Sequence, residues 1–233
     1  MNSMNPVNTP LSGASAGGHI AQRNRVLRNT YGLLALSMVP TVLGAWVGVS
    51  TGIVAAMSPG VGLMVFLVGA FGFMFAIEKT KNSAAGVPML LAFTFFMGLM
   101  LSRLVGQVLG LSNGASLVML AFAGTGAIFL GMASLSSLIK RDLSSMGKFL
   151  FVGAVMLLVA GIANVFIQSS ALMITLSVLA IGVFSAFILH DLKRVRDGLE
   201  TNYISDTLGV YLSMYNVFQS LLAVFGLTSA REE

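Results

Sequence analysis

His190 and Asp191 stand side by side at the end of an apolar run, and of all the residues in this sequence they are best suited to hold a proton or a cation. A carboxylate at a helix C-terminus meets the partial negative charge of the helix dipole, so it needs a compensating partner. Two readings follow. Asp191 is an interfacial acid, solvated by headgroup water and offset by Lys193 or Arg194, or it is a proton- or cation-responsive group at a closed inner mouth. His190 carries the side chain that changes charge in the physiological range, and it serves either that site or the interface alone.

The segment after this pair carries polar groups inside an apolar, helix-length run. Gly209, Ser213, Asn216 and Ser220 recur at i, i+4, i+7 and i+11, while Tyr211, Tyr215 and Gln219 project on another face. A hydroxyl or amide in hydrocarbon finds no water to replace the bond it gave up. This helix is therefore expected to be surrounded by others, with Leu208, Leu212, Leu221 and Leu222 filling between the stripes. Asn164, Ser213, Asn216, Gln219 and Ser220 are expected to form a helix-to-helix hydrogen-bond network, each bond worth about 0.6 kcal/mol on average.

Other chemistries find little support. With two histidines, no cysteine and no paired carboxylates inside the apolar runs, no metal-ligand spacing is present, and no cofactor is expected. A serine nucleophile in the membrane would need a base beside it, and no Gly-x-Ser-x-Gly elbow occurs. The fragment GTGAIFLG at 124–131 lacks the Lys-Ser/Thr ending of a phosphate loop and lies within an apolar run. An enzyme is not expected.

The elements that must position these residues are set by composition. With 56% of residues apolar and 9% charged, the chain is outside the range of soluble domains and reads as a polytopic membrane protein. Seven apolar stretches run over Thr30–Val49, Pro59–Ile77, Ala84–Leu101, Ala115–Ile139, Phe149–Ile167, Ala171–Leu189 and Thr207–Leu227. Each has about the twenty residues an α-helix needs to cross a ~30 Å hydrocarbon layer. The fold class is thus an all-α seven-helix membrane bundle over residues 29–228, with the seventh helix central. A flexible tail over 1–28 precedes it and a short tail over 229–233 follows. Pro40 is expected to kink the first span. Gly44 and Gly48 form a GxxxG pair there, a spacing that permits close helix contact, whereas Gly106 and Gly110 are expected in or beside a loop.

Charge sets the orientation. The tail and the loops at 78–83, 140–148 and 190–206 hold eleven of the thirteen basic residues, and seven spans place all four on one side. By the positive-inside rule the N-terminus is then cytoplasmic and the C-terminus outside. The net charge of +5 is explained by that distribution, and no nucleic-acid partner is expected.

The run ETNYISDTLGVYLSMYNVFQSLLAVFG at 200–226, with RNTYGLLALS at 28–37 and IEKTKN at 77–82, resembles the Bax-inhibitor (TMBIM) family, and within it the bacterial YccA-like branch. The resemblance implies a bundle whose seventh helix is wrapped by the other six, in the bacterial inner membrane. It implies a modulator of the ATP-dependent membrane protease FtsH, with HflK and HflC as companions, acting as inhibitor or slow substrate. It also implies a use for the tail with Arg23, Arg25 and Arg28, since 28 extended residues reach about 90 Å at most and can enter a nearby AAA ring. Some family members are pH-sensitive calcium leaks that use two acids. The first falls on Asp191, and the second on Tyr211-Leu212-Ser213, where Ser213 stands in place of the carboxylate. The implied alternative is a weak proton or calcium site built on Asp191, His190 and Ser213.

Overall fold

The computed structural model describes residues 12–143 and 145–231, and the side chains of all of these except 12–21 and 23. Seven α-helices fill the chain: α1 Ser12–Thr51, α2 Pro59–Thr80, α3 Gly86–Leu109, α4 Gly114–Leu138, α5 Met146–Ile167, α6 Ser170–Arg196 and α7 Tyr203–Ser229. Among the described residues there is no strand, and all seven helices are long and apolar enough to cross a membrane.

The helices run further than the apolar stretches alone indicate. α1 begins at Ser12, so most of the segment expected as a flexible tail over 1–28 is helical, and only residues 1–11 lie outside the described residues. The physical reason is nucleation. No proline falls between Pro10 and Pro40, so a helix nucleated in the apolar span extends backward through Arg, Gln, Leu and Ala, all good helix formers. The helix is unbroken through Pro40. α3 likewise runs to Leu109, which places Gly106 inside the helix, while Gly110 at its C-cap borders the loop as expected.

α7 is the most buried of the spans and α3 the next. α7 packs mainly on α1, α3, α4 and α6, while α2 packs on α3 and α5 and α5 packs on α6. The expected wrapping by six neighbours is therefore corrected to four principal ones. Gln219 is the visible consequence, since its side chain is exposed rather than enclosed.

The core gathers around α3 and α7. Leu90, Phe93 and Met97 of α3 meet Val210, Tyr211, Tyr215 and Val217 of α7, joined by Ile188 and Leu192 of α6. Phe93 and Tyr211 stack edge to face at 6.1 Å, the arrangement favoured by the ring quadrupoles. Caps and turns fix the ends. Ser58 Oγ accepts from Val61 N–H to start α2, and Arg103 of α3 donates to the Met57 carbonyl at 3.2 Å, tying the α1–α2 connection to the third helix. Asn164 Oδ1 accepts from Ser169 N–H at 3.1 Å, and Ser169 Oγ then caps α6, so the α5–α6 turn is held by two side chains in series.

Candidate functional site

The site is assembled where α6 ends and α7 begins. Asn202 starts α7: its Oδ1 accepts from Ile204 N–H at 2.9 Å and Ser205 N–H at 3.1 Å, an N-cap that satisfies two otherwise orphaned donors. Its Nδ2 donates in the other direction, to Lys81 O at 3.2 Å and Asn82 Oδ1 at 2.8 Å. One side chain therefore begins the helix and ties it to the α2–α3 loop.

Three residues into this first turn lies Asp206, which sequence reasoning missed. It is 5% exposed, and its carboxyl lies beside the likewise buried Thr30 hydroxyl of α1, with Oδ2 closing no hydrogen bond. Asp191, Arg194, Glu200, Ser205, Asp206 and Gly209 line one cavity of about 70 Å³. Three carboxyl-bearing residues and one arginine thus share its lining. The Ser205 hydroxyl, also buried, is without a partner as well.

Each cavity group has a distinct support. Asp191 Oδ1 lies 3.0 Å from His190 Nδ1, and its Oδ2 rests against Gly209, where a Cβ would come within 3.0 Å. Glu200 accepts from the N–H groups of Thr201 and Asn202 and lies 3.7 Å from Arg194 Nη2. Lys193, itself buried, spends its ammonium on both oxygens of Asp197 at 2.6 Å. The expected offset of Asp191 by Lys193 is thus replaced by Lys193–Asp197, while Arg194 faces the Asp191 cavity and pairs with Glu200. His190 is 7% exposed and not an open interfacial side chain. Its Nε2 abuts the start of α5, where a Cβ on Gly147 would come within 2.8 Å.

Ser213 does not line this cavity. Its hydroxyl donates to Gly209 O at 3.0 Å, one turn back along α7. Asn216 Nδ2 donates to Leu212 O at 2.8 Å in the same way. Gln219 is exposed, and of the five residues expected to form an interhelical network, Asn164, Ser213 and Asn216 instead bond within their own helix or the turn that follows it. The reason is reach: a short polar side chain finds the carbonyl one turn back within its own helix and needs no second one. The stronger interhelical bonds of α7 come from its longer side chains, although the Thr207 hydroxyl, which donates to Tyr203 O at 2.6 Å, also reaches Thr30 O of α1 at 3.5 Å. Tyr211 Oη lies 2.9 Å from Thr41 Oγ1 of α1, and Tyr215 Oη donates to Met97 O of α3 at 3.3 Å. Arg25 and Arg28 are exposed on α1, and the side chain of Arg23 lies outside the described residues.

The cavity brings together carboxyl-bearing residues from α6, from α7 and from the connection between them. Among the described residues no three His, Cys, Asp or Glu side chains are grouped to hold a metal ion.

A family model described as inhibitor of apoptosis-promoting Bax1 matches residues 23–230. An uncharacterized protein of Neisseria meningitidis serogroup A is 37% identical over 209 residues, covering 88% of this chain and 92% of its own. An uncharacterized membrane protein of Vibrio cholerae is 35% identical over 222 residues, covering 95% and 98%. The protein named Modulator of FtsH protease YccA, of Escherichia coli K12, is 35% identical over 206 residues, covering 88% and 91%. With a family match across nearly the whole bundle and relatives aligned over more than nine tenths of their own length, the chain belongs to the Bax inhibitor family of membrane proteins.

Proposed function

We propose that this protein is an inner-membrane modulator of an FtsH-type ATP-dependent protease, acting in membrane-protein quality control and catalysing no reaction itself. The observation that carries this reading is the 35% identity, along 88% of the chain, to a protein named for modulating FtsH. The geometry supports it through α1. Forty helical residues measure about 60 Å, twice the ~30 Å hydrocarbon thickness, so the start of α1 stands well clear of the membrane. Under the positive-inside rule that end is cytoplasmic and the C-terminus periplasmic. There the segment over residues 1–28, which ends in Arg23, Arg25 and Arg28, is a handle for a AAA ring, with HflK and HflC as further partners, and a bundle slow to extract occupies the protease. Deleting residues 1–20 is expected to abolish the effect on FtsH turnover of a membrane substrate in proteoliposomes. Unchanged inhibition by the truncated protein refutes the handle.

A second reading, a pH-sensitive proton or calcium leak, is favoured by one observation. The carboxylate that Ser213 does not supply is available from Asp206, on the same cavity as Asp191. Two acids that share a cavity couple their protonation, which an acid beside a hydroxyl does not. Calcium and proton flux into liposomes, compared for the wild type, Asp191→Asn and Asp206→Asn, tests it. Flux lost in both variants supports a leak, and the same flux in all three removes it.

A further inference from the structure

Three helices are interlocked at one depth of the bundle. The Thr41 hydroxyl of α1 donates to Ser37 O at 2.8 Å, which leaves its lone pair to accept from Tyr211 Oη of α7, 2.9 Å away. The same Tyr211 hydroxyl reaches Thr94 O of α3 at 3.4 Å. Beside them, the Thr41 carbonyl oxygen occupies the space a Cβ on Gly98 would take. Phe95 O of α3 occupies the notch left by Gly44, and the Ser102 side chain occupies the one left by Gly48. α1 and α3 thus hold each other by backbone oxygens seated in glycine notches, and Tyr211 pins both.

We propose that this junction is a mechanical clamp that resists withdrawal of α1 by its N-terminus and so sets how slowly the chain is extracted. The inference rests on the protease-modulator reading and names the part of the bundle that makes extraction slow. A pull along α1 loads the junction in shear. To slide by one turn, 5.4 Å, α1 must lift the Thr41 oxygen out of the Gly98 notch, drag Gly44 and Gly48 past Phe95 and Ser102, and break the Tyr211 bond, all together. A pull on the C-terminus instead begins at Ser229, whose Oγ bonds Asn113 at 3.1 Å, about five turns from Tyr211, and peels α7 contact by contact.

Force spectroscopy on the full chain in a supported bilayer, pulling from either end, tests the clamp. Tyr211→Phe and Thr41→Val each delete a hydroxyl with little change of shape, and Thr41→Ser keeps one. For N-terminal pulls, either deletion is expected to raise the unfolding rate at fixed force about threefold to fivefold, as for loss of one interhelical bond. The double variant should add nothing beyond Tyr211→Phe, which also gives up the Thr94 bond, and Thr41→Ser should match the wild type. The first event in C-terminal pulls should be unchanged. An unaltered N-terminal rate in both deletions, or equal acceleration from the two ends, overturns the clamp. No protease is present, so this failure leaves the partner reading standing. A clamp found here with no effect of the full chain on FtsH turnover in proteoliposomes sinks the partner reading alone.

Discussion

Asn202 Nδ2 donates to Asn82 Oδ1 at 2.8 Å across 120 residues of sequence, while the other end of the same amide caps α7. The two jobs are separable by substitution. Asn202→Asp keeps the capping oxygen and loses the donor, whereas Asn202→Ala loses both. Loss of the cap costs about 1 kcal/mol and loss of the tie about 1 kcal/mol more. Thermal unfolding in detergent, followed by the fluorescence of Trp46, should rank wild type above Asn202→Asp and that above Asn202→Ala. Equal midpoints for the wild type and Asn202→Asp would show that the tie to the α2–α3 loop contributes nothing.

Gly98 and Gly209 are both helical and both in contact, yet they should answer differently to alanine. At Gly98 the added Cβ collides with the Thr41 backbone oxygen, which cannot move without its helix. At Gly209 it meets the end of the Asp191 side chain, a flexible carboxylate that can yield. A helix gains about 1 kcal/mol from Gly→Ala where nothing is in the way. Gly209→Ala should therefore unfold within about 1 kcal/mol of the wild type. Gly98→Ala should lose several kcal/mol or fail to assemble, as overpacking against a rigid neighbour does. Comparable losses at the two positions would contradict the backbone seam between α1 and α3.

Asp206 buries a carboxyl oxygen with no partner, beside the carboxyls of Asp191 and Glu200. An unsatisfied buried acceptor costs about 1–3 kcal/mol, and Asn of the same shape brings a donor where those acceptors lie. Asp206→Asn is expected to leave the stability unchanged or to raise it. A loss of more than about 1 kcal/mol would mean that the carboxylate is part of what holds α6 to α7. A gain would mean that the acid is kept at a cost, and the flux assay then says whether ion movement is the reason.

The number of helices and their membrane character were legible because length and apolarity alone decide them. Gly44 and Gly48 were legible too, since their spacing already implied a close approach, and they do sit against Phe95 and Ser102. Asp206 escaped notice even though a signal was there. The stripe of Gly209, Ser213, Asn216 and Ser220, carried back three residues, lands on it, and an acid in the first turn of a helix also suits the helix dipole. What spacing alone does not reveal is the choice a polar side chain makes between its own helix and the next. Ser213 and Asn216 bond one turn back along α7, whereas Tyr211 is too long to fold onto its own carbonyls and reaches α1 and α3. The helical start of α1 was hidden for a different reason: its polar residues carry no apolar period, and its helix extends from the span that follows.

The orientation rests on charge alone and is open to a direct measurement, because the chain has no cysteine to confuse labelling. Ser83, in the exposed α2–α3 loop, and Ser229, at the end of α7, lie at opposite ends of the bundle. Eleven of thirteen basic residues share the end with Ser83, and moving them across the membrane against its potential costs about 2.3 kcal/mol per charge per 100 mV. In intact bacterial spheroplasts, a membrane-impermeant maleimide should label Ser229→Cys and leave Ser83→Cys untouched until the membrane is opened. Labelling of Ser83→Cys in sealed spheroplasts would turn the bundle over. The start of α1 would then lie outside, beyond the reach of any cytosolic ATPase, and the protease reading would fall with the orientation.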